Sequence, residues 1–451
     1  GASNTDYSDG SDNFIFLLFQ KSGGNENFYY EWLSKLFFET LNKQRIDDVF
    51  IMPDTTSVKI PYLNGGLFDP EEYDNKLLTF TPTLFHSDDF EDTPLTEKLY
   101  KKNEPHRGFL DFLNAFNFTV HEDSPEDQTV AVDPEMLGHI FENLLEDNKD
   151  KGAFYTPKEI VHYMCQESLI EYLNTHLNPS SNSKDENGVS VYEKQNTNLV
   201  IHSNQYYEED YSDIVDFVKN KTINDYILKR ATEVNKYLDA VKICDPAIGS
   251  GAFPMGLLQE IFAIKELIAF ATNSEWEPAK AKENIIQNSI YGVDIEKGAV
   301  DIARLRFWLS LIVNEEKPKA LPNLDYKIVV GDSLLSKFGE QVIDIDWDIK
   351  GNSDFQKKIK KSIEELVKAK KDFFELKKEK VNAKKDIRTK TIDLLINILT
   401  FDKEKYFKEH SKTKSLFEQT AKEKQQQLEF DNHIYGFDKA ITDLKVLKGN
   451  N

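Results

Sequence analysis

The sequence predicts an α/β chain: a doubly wound, mainly parallel sheet with a helical region before it and a long helical segment after it. Three observations lead there. The stretch ICDPAIGSGAF at 243–253 reads as the end of a buried strand, a glycine turn and the start of a helix. The run SIYGVDI at 289–295 stops at an acid and leads into a second helical pattern at 299–313. A third run, YKIVV at 326–330, ends in Gly331-Asp332-Ser333. Open parallel sheets built from such strand–turn–helix units bind ligands at the carboxyl ends of their strands.

Each element has its own warrant. Ile243 and Cys244 close the first strand, and Asp245 and Pro246 stop it. Gly249 and Gly251 can take backbone angles closed to other residues, and they leave room for a ligand to lie against the main chain. The following FPMGLLQEIFAIKELIAF has apolar residues at helical spacing. A helix beginning after such a turn presents unbonded N–H groups to a polar ligand.

Before the sheet, residues 1–13 are polar and read as a disordered tail. A helix is expected over 28–43, with Leu33, Leu36, Phe37 and Leu41 on its apolar side. IPYLNGGLF at 60–68 is a glycine-centred turn, and 80–96 is an acidic, proline-bearing loop. Helices are expected at 107–118 and 134–146, the latter with Asp133 as cap and Pro134 as first residue. Residues 14–150 therefore read as a mainly helical connector domain. KGAFYTP at 151–157 leads into an amphipathic helix at 158–173, with Thr156 at its cap and Pro157 at its first position. An insertion is expected at 174–238, irregular up to 211 with room for short strands and helical from 213. With it, the sheet domain spans 151–350.

After Trp347 the character changes. Residues 351–451 are dense in lysine and glutamate, with Ile359, Ile363, Leu366, Phe373 and Leu376 at roughly helical spacing. This reads as a helical hairpin or coiled-coil-like insertion. Its lysines read first as a solvated helix face, with contact to phosphates as the alternative.

Composition bounds the function. The chain has 451 residues and a formal charge of −22, which disfavours nucleic-acid binding by the whole surface but leaves a local basic groove open. The two cysteines, Cys165 and Cys244, are far apart and read as core thiols of a reducing compartment. No apolar run approaches the roughly 20 residues that span a bilayer, and no secretory signal is visible. The expected location is the cytoplasm, with no membrane partner. The chain starts at Gly1-Ala2-Ser3 without methionine and reads as a piece of something longer. His139 and His162 stand in helical patterns with no second ligand at metal spacing.

The turn is not the dinucleotide fingerprint, which is G-x-G-x-x-G with an acid about 20 residues on. Here Asp245-Pro246-Ala247 precedes it and Asp294 lies much further along. An aspartate before the turn repels a pyrophosphate and suits a cationic ligand with an amine and a sulfonium. Asp294, at the end of the second strand, can accept both hydroxyls of a ribose. Asp332 can accept from an adenine amine, with Leu334 near the ring.

Taken together, these segments resemble gamma-class DNA adenine methyltransferases. DPAIGSGAF resembles the motif that binds S-adenosylmethionine (AdoMet) in that class. AFYTP resembles the motif before it, and GVDIEKGAVDIARLRFWLSL and GDSLL the next two in order. PYLNGGLFDP and VDPEMLGHIFENLLEDNKDKGAFYTP resemble the helical connector of type IIG (type IIS-like) restriction–modification enzymes. The resemblance covers roughly residues 61–335 and implies a Rossmann-like sheet, AdoMet as cofactor and duplex DNA as the partner of the full-length protein; it sets no oligomeric state. It implies that Asp245 holds the methionine amino group and that Ala247, Gly249 and Gly251 line the methionine. Phe154, Tyr155 and Thr156 would close over the cofactor. Asp294 would take the ribose hydroxyls, Ile295 would flank the adenine, and Asp332, with Ser333 and Leu334 beside it, would take the adenine amine.

The departures weigh as much. The family's catalytic Asn/Asp-Pro-Pro-aromatic motif is absent, since the chain has no Pro-Pro dipeptide. No catalytic residue is assigned, and the chain by itself is expected not to methylate. A magnesium-binding nuclease site needs an acid on one strand and acid-x-Lys on the next. Asp54 and Lys59 lie in suggestive surroundings, but no acid-x-Lys follows. Magnesium would enter only with a nuclease domain in the full protein. Two alternatives remain: a non-catalytic, partner-binding module of a multi-subunit restriction or phage-defence complex, and a small-molecule methyltransferase, against which AFYTP argues.

Overall fold

The computed structural model describes residues 11, 13–63, 66, 68–70, 78–86, 108–115, 117–118, 131–132, 136, 156–178, 192–193, 200–201, 204–315, 319–334, 337–338, 341–342, 353–375, 380–410 and 421–449. Two compact units emerge, Gly1–Ser333 and Leu334–Asn451.

The first unit opens with helix α1 (Phe14–Lys21). The expected helix at 28–43 is present but is wound as π-helix over Tyr29–Leu33 and Lys35–Leu41. In that winding each N–H reaches five residues back, and the Thr40 hydroxyl follows it, donating to the Lys35 carbonyl at 2.9 Å. Leu33 and Leu36 are buried as expected, whereas Phe37 and Leu41 are half-buried. A hairpin of β1 (Val49–Ile51) and β2 (Ser57–Lys59), not expected from the sequence, interrupts the helices of this region. Its strands are too short for an alternating pattern to stand out. Helix α2 (Phe109–Ala115) is shorter than the expected 107–118, and a two-residue parallel pair joins Asn117–Phe118 to Ala131–Val132. The helix expected at 134–146 lies outside the described residues except for Met136, which is helical. The core here is aromatic: Phe19, Phe28 and Phe85 are buried, with edge-on ring contacts of Phe28 to Phe19 at 4.9 Å and to Phe85 at 5.1 Å.

Helix α3 (Lys158–Leu177) runs past the expected end at 173. A two-residue antiparallel pair joins Tyr192–Glu193 to Val200–Ile201. Helices α4 (Asn204–Lys219), α5 (Asp225–Lys229) and α6 (Ala231–Ala240) follow. The sheet consists of β3 (Ile243–Asp245), β4 (Ile290–Asp294) and β5 (Ile328–Val330). They pair parallel in that order, with Asp245 opposite Gly292 and Asp294 opposite Val330. Helices α7 (Ala252–Ala271) and α8 (Pro278–Ser289) connect β3 to β4, and α9 (Lys297–Ile312) connects β4 to β5. The described strands thus progress in one direction across the sheet.

Short apolar runs, each stopped at an acid or a glycine, made all three strands legible, but burial falls on Ile290 and Gly292 of β4 and Ile328 of β5, while β3, expected as a buried strand, is half-buried to exposed. Cys244 corrects one expectation: Cys165 is a buried thiol, but Cys244 is exposed. It lies on β3, which pairs only with β4 among the described residues.

In the second unit, Lys337–Phe338 and Gln341–Val342 form a short antiparallel pair. Helices α10 (Asp354–Phe374), α11 (Lys380–His410) and α12 (Ala421–Gly449) make up the rest. Ser353 and Gln356 form a reciprocal capping box at the start of α10. Ile359, Leu366 and Phe373 are buried, and α11 and α12 share a core of Ile392, Leu399, Ala440, Ile441 and Leu444. No helix among the described residues is long and apolar enough to cross a membrane.

Candidate functional site

The glycine turn is fixed by backbone and carboxylate together. The Asp245 carboxylate accepts from the Ala247 N–H at 3.1 Å, bending the chain back at the end of β3. The Ile248 N–H donates to the Val293 carbonyl at 2.9 Å, so the turn continues the β3–β4 pairing past the last residue of β3. Gly249 has φ 54° and Gly251 φ 90°, both in the left-handed region. A Cβ on Gly251 would lie 3.2 Å from the Ala303 Cβ, so small residues on the turn and on α9 set their approach. Gly251 is the N-cap of α7, and no side chain caps that end. The first N–H groups of α7 therefore face the strand ends without a side-chain acceptor.

Asp294 ties the second strand to this turn. One carboxylate oxygen accepts the Gly249 N–H at 2.8 Å, the other the Glu296 N–H at 2.9 Å. Its backbone carbonyl accepts the Gly331 N–H at 2.8 Å, which links it to the segment after β5. A carboxylate has about four lone-pair sites, so Asp294 keeps acceptor capacity after both backbone bonds. Gly292 explains itself sterically: a Cβ there would lie 2.2 Å from the Ile248 Cδ1. Ile248 is buried as a plug beneath the turn.

Burial raises the Asp245 carboxyl above its ordinary value, the Ala247 N–H opposes that, and the Asp294 charge adds to the rise. Two carboxylates at adjoining strand ends, one of them half desolvated, make an acceptor-rich edge that favours a cation and disfavours a phosphate.

Of the residues singled out in the sequence, the structure brings Asp245, Ala247, Gly249, Gly251 and Asp294 into one bonded network. Ile295 follows and is exposed. Asp332 and Ser333 stand exposed after β5, at the same carboxyl edge of the sheet. Leu334 is exposed and begins the second unit. Phe154 and Tyr155 lie outside the described residues. Thr156 is half-buried, and its expected capping role is corrected: Pro157, at φ −55° and ψ 141°, holds the cap position of α3, and no side chain bonds there. The Pro157 carbonyl accepts from Ile160 and Val161.

Three supporting residues escaped the sequence reading. Arg306, buried on α9, donates through Nη1 to the Ser250 carbonyl at 3.1 Å and steadies the turn from below. Arg304 donates to the Ile328 carbonyl through Nε at 3.0 Å and Nη2 at 2.6 Å, fastening α9 to β5. Glu260, buried on α7, is bonded by His162 at 2.9 Å, by Gln166 at 3.3 Å and by Lys221 at 2.5 Å. One turn earlier, a Cβ on Gly256 would lie 2.9 Å from Val161 and 3.0 Å from the Cys165 sulfur. Gly256 and Glu260 thus seat α3 on α7, and an acid within the apolar first half of that helix was the available signal. His162, read as a packing or surface residue, is exposed, with its Nδ1 2.9 Å from a Glu260 carboxylate oxygen.

Two other places do not join the site. Asp54 lies in the β1–β2 turn, ion-paired to Lys21 at 2.6 Å; the bonds from Lys21 and Thr56 pull its carboxyl down to about 2. It serves the turn, and no group of acids, histidines and cysteines suited to a metal occurs among the described residues. An apolar cavity of about 460 Å³ lies between the π-helical segment and α9, with Leu36, Phe37, Leu311 and Leu321 in its wall. None of the strand-end acids lines it.

Residues 288–442 match the family described as Eco57I restriction-modification methylase. The matched range starts just before β4 and runs through most of α12. A protein of Methanocaldococcus jannaschii, named as a type II restriction enzyme and methyltransferase, is 30% identical over 338 residues. That alignment covers 72% of this chain and 25% of the relative, so the chain spans about a quarter of that protein's length. No solved structure matches the chain.

Proposed function

We propose, for a chain that belongs to the Eco57I restriction-modification methylases, that the carboxyl edge of β3, β4 and β5 holds AdoMet. The whole protein would then methylate the exocyclic amine of adenine in duplex DNA. The observation that carries this reading is the bonded pair of glycine turn and second-strand acid, Gly249 to Asp294 at 2.8 Å. It creates an edge where bare backbone and two carboxylates lie side by side. The fit to AdoMet is chemical. The half-buried Asp245 carboxylate suits an ammonium, the remaining lone pairs of Asp294 suit two ribose hydroxyls, and the uncapped start of α7 suits a carboxylate. Asp332 and Ser333 would meet the adenine amine and Ile295 its ring. Phe154, Tyr155, Thr156 and Leu334 keep the roles the resemblance implies.

When bound, AdoMet supplies an electrophilic methyl group on its sulfonium. The residues described here bind and orient, the part of catalysis that comes from positioning. A base inside a duplex must leave the stack to be reached. With no Pro-Pro dipeptide in the chain, no residue is assigned to receive it, and the chain by itself is expected to transfer no methyl group to DNA. A doubly wound sheet places its first strand centrally. The exposed Cys244 on β3, and the single partner of that strand among the described residues, fit a sheet that continues on that side.

Calorimetry with AdoMet and with S-adenosylhomocysteine tests the reading. Saturable binding is expected, weakened roughly 10- to 100-fold by Asp294→Ala, because each hydrogen bond to a charged group contributes about 1.5–3 kcal/mol. Absence of binding, or equal affinity in the variant, would refute it.

A further inference from the structure

Charge is unevenly distributed along this acidic chain. Residues 351–451 contain 24 Lys and Arg against 17 Asp and Glu, net +7. The preceding 350 residues contain 32 against 61, net −29. Such segregation within one chain is a physical signal of a polyanion-binding part.

Part of that excess stands on α10, where seven Lys face four Asp and Glu. Helix α10 buries Ile359, Leu366, Ala369 and Phe373. At about 100° per residue, Lys357, Lys360, Lys361, Lys368 and Lys371 fall on the opposite side within a narrow arc, and all five are exposed. Glu364 lies inside that arc and Glu375, at the C-cap, continues it, with Asp354, Glu365 and Asp372 on its flank. From Lys357 to Lys371 the stripe extends about 21 Å along the helix. Three of its lysines make loose ion pairs: Lys357 to Asp354 at 3.7 Å, Lys361 to Glu365 at 3.9 Å and Lys371 to Glu375 at 3.8 Å, each within one turn. Lys368 has no carboxylate partner among the described residues. Pairs of this exposed kind are weak and yield readily to a denser anion.

We propose that this face of α10 is a docking surface for the sugar–phosphate backbone of duplex DNA, contacting phosphates without reading bases. A row of ammonium groups one helical turn apart meets a regular row of phosphates as point charges, which lysine suits. The choice of DNA over another polyanion rests on the proposed function; the stripe itself rests on charge and geometry alone. The acidic remainder of the chain would repel the backbone, so this surface would also orient the duplex.

The test uses the whole 451-residue chain. Binding to a 30-base-pair duplex of arbitrary sequence is measured by fluorescence anisotropy across a salt series. The comparison is between wild type and the combined Lys357→Gln, Lys361→Gln, Lys368→Gln, Lys371→Gln variant. Each phosphate contact contributes about 0.9 to the slope of log K against log salt. The variant is expected to lose about 2–4 from that slope and at least about tenfold in affinity, equally on unrelated sequences. The corresponding Lys→Arg variant should keep the wild-type slope, and Lys445→Gln on α12 should change nothing. Thermal melting of each variant in parallel reports folding. An unchanged slope in the glutamine variant overturns the proposal. So does a wild-type chain that ignores the duplex, or one that prefers vesicles containing phosphatidylserine. AdoMet calorimetry on the same samples separates the two readings. Intact AdoMet binding with no loss of slope sinks only the docking surface, and a lysine-dependent slope without AdoMet binding sinks only the cofactor site.

Discussion

Gly292→Ala is the sharpest probe of how the strand ends are held. The added Cβ would lie 2.2 Å from the Ile248 Cδ1 and 3.0 Å from its Cβ and Cγ1. Ile248 cannot move freely, since its N–H is bonded to the Val293 carbonyl and its carbonyl accepts the Gly251 N–H. Overpacking of this kind costs about 1–3 kcal/mol, and the displaced turn carries Gly249 away from Asp294. The variant should therefore lose stability in urea and also bind AdoMet more weakly. Ile248→Val removes the closest atom and by itself costs about 0.5–1.5 kcal/mol. Combined, the two changes should cost less than the sum of their separate effects by about 1 kcal/mol, the size expected of residues in contact. Urea denaturation of the four proteins gives that coupling. Strict additivity, or a Gly292→Ala variant as stable as wild type, would refute the steric reasoning.

Three further predictions follow from particular groups. Burial chiefly, opposed by the Ala247 N–H and joined by Asp294, raises the Asp245 carboxyl above its ordinary 3.8. The folded chain thus holds that proton more tightly than the unfolded one. This stabilising contribution is full below about pH 3.8 and is lost as pH climbs through the raised value. Asp245→Asn should accordingly raise the melting temperature at pH 7 while weakening AdoMet binding. Wild-type affinity for AdoMet should fall on acidification as the Asp245 carboxyl takes up its proton, and a flat profile would count against the ammonium assignment. Burial and the Glu260 charge push the Cys165 thiol up to about 12, whereas Cys244 is exposed. Iodoacetamide followed by mass spectrometry should modify Cys244 alone in the native protein and both thiols in urea. Glu260→Gln leaves Lys221 and His162 facing an amide, and because both are partly exposed the loss should be about 1–2 kcal/mol. Urea denaturation measures it, and a neutral result would remove Glu260 as the seat of α3.

The sheet was legible because its strands are apolar runs stopped by Asp245, Asp294 and Gly331-Asp332, and because each turn residue is chemically distinctive. The nature of the contact at Asp294 was not. Spacing places an acid at a strand end, but only packing shows that its oxygens accept Gly249 and Glu296. Gly292 looked like part of a motif, and the structure gives it a steric cause in Ile248. The hairpin at Val49–Lys59 escaped because three-residue strands carry too little pattern. The π winding at Tyr29–Leu41 escaped because apolar spacing near 3.6 residues does not separate it from an α-helix. Thr156 failed as a cap because Pro157 already supplies the extended angle and carbonyl that begin α3. Arg304 and Arg306 sit in a run that reads as amphipathic, and their carbonyl partners lie 24 and 56 residues away.

The central claim is that AdoMet lies across the ends of three parallel strands. Ultraviolet cross-linking of methyl-labelled AdoMet to the 451-residue chain, followed by peptide mapping, tests this most directly. The account predicts saturable label confined to peptides containing 154–156, 243–253, 290–296 and 331–334, and competition by S-adenosylhomocysteine. Label concentrated on the walls of the apolar cavity near Phe37 and Leu311, or spread without saturation, would contradict it.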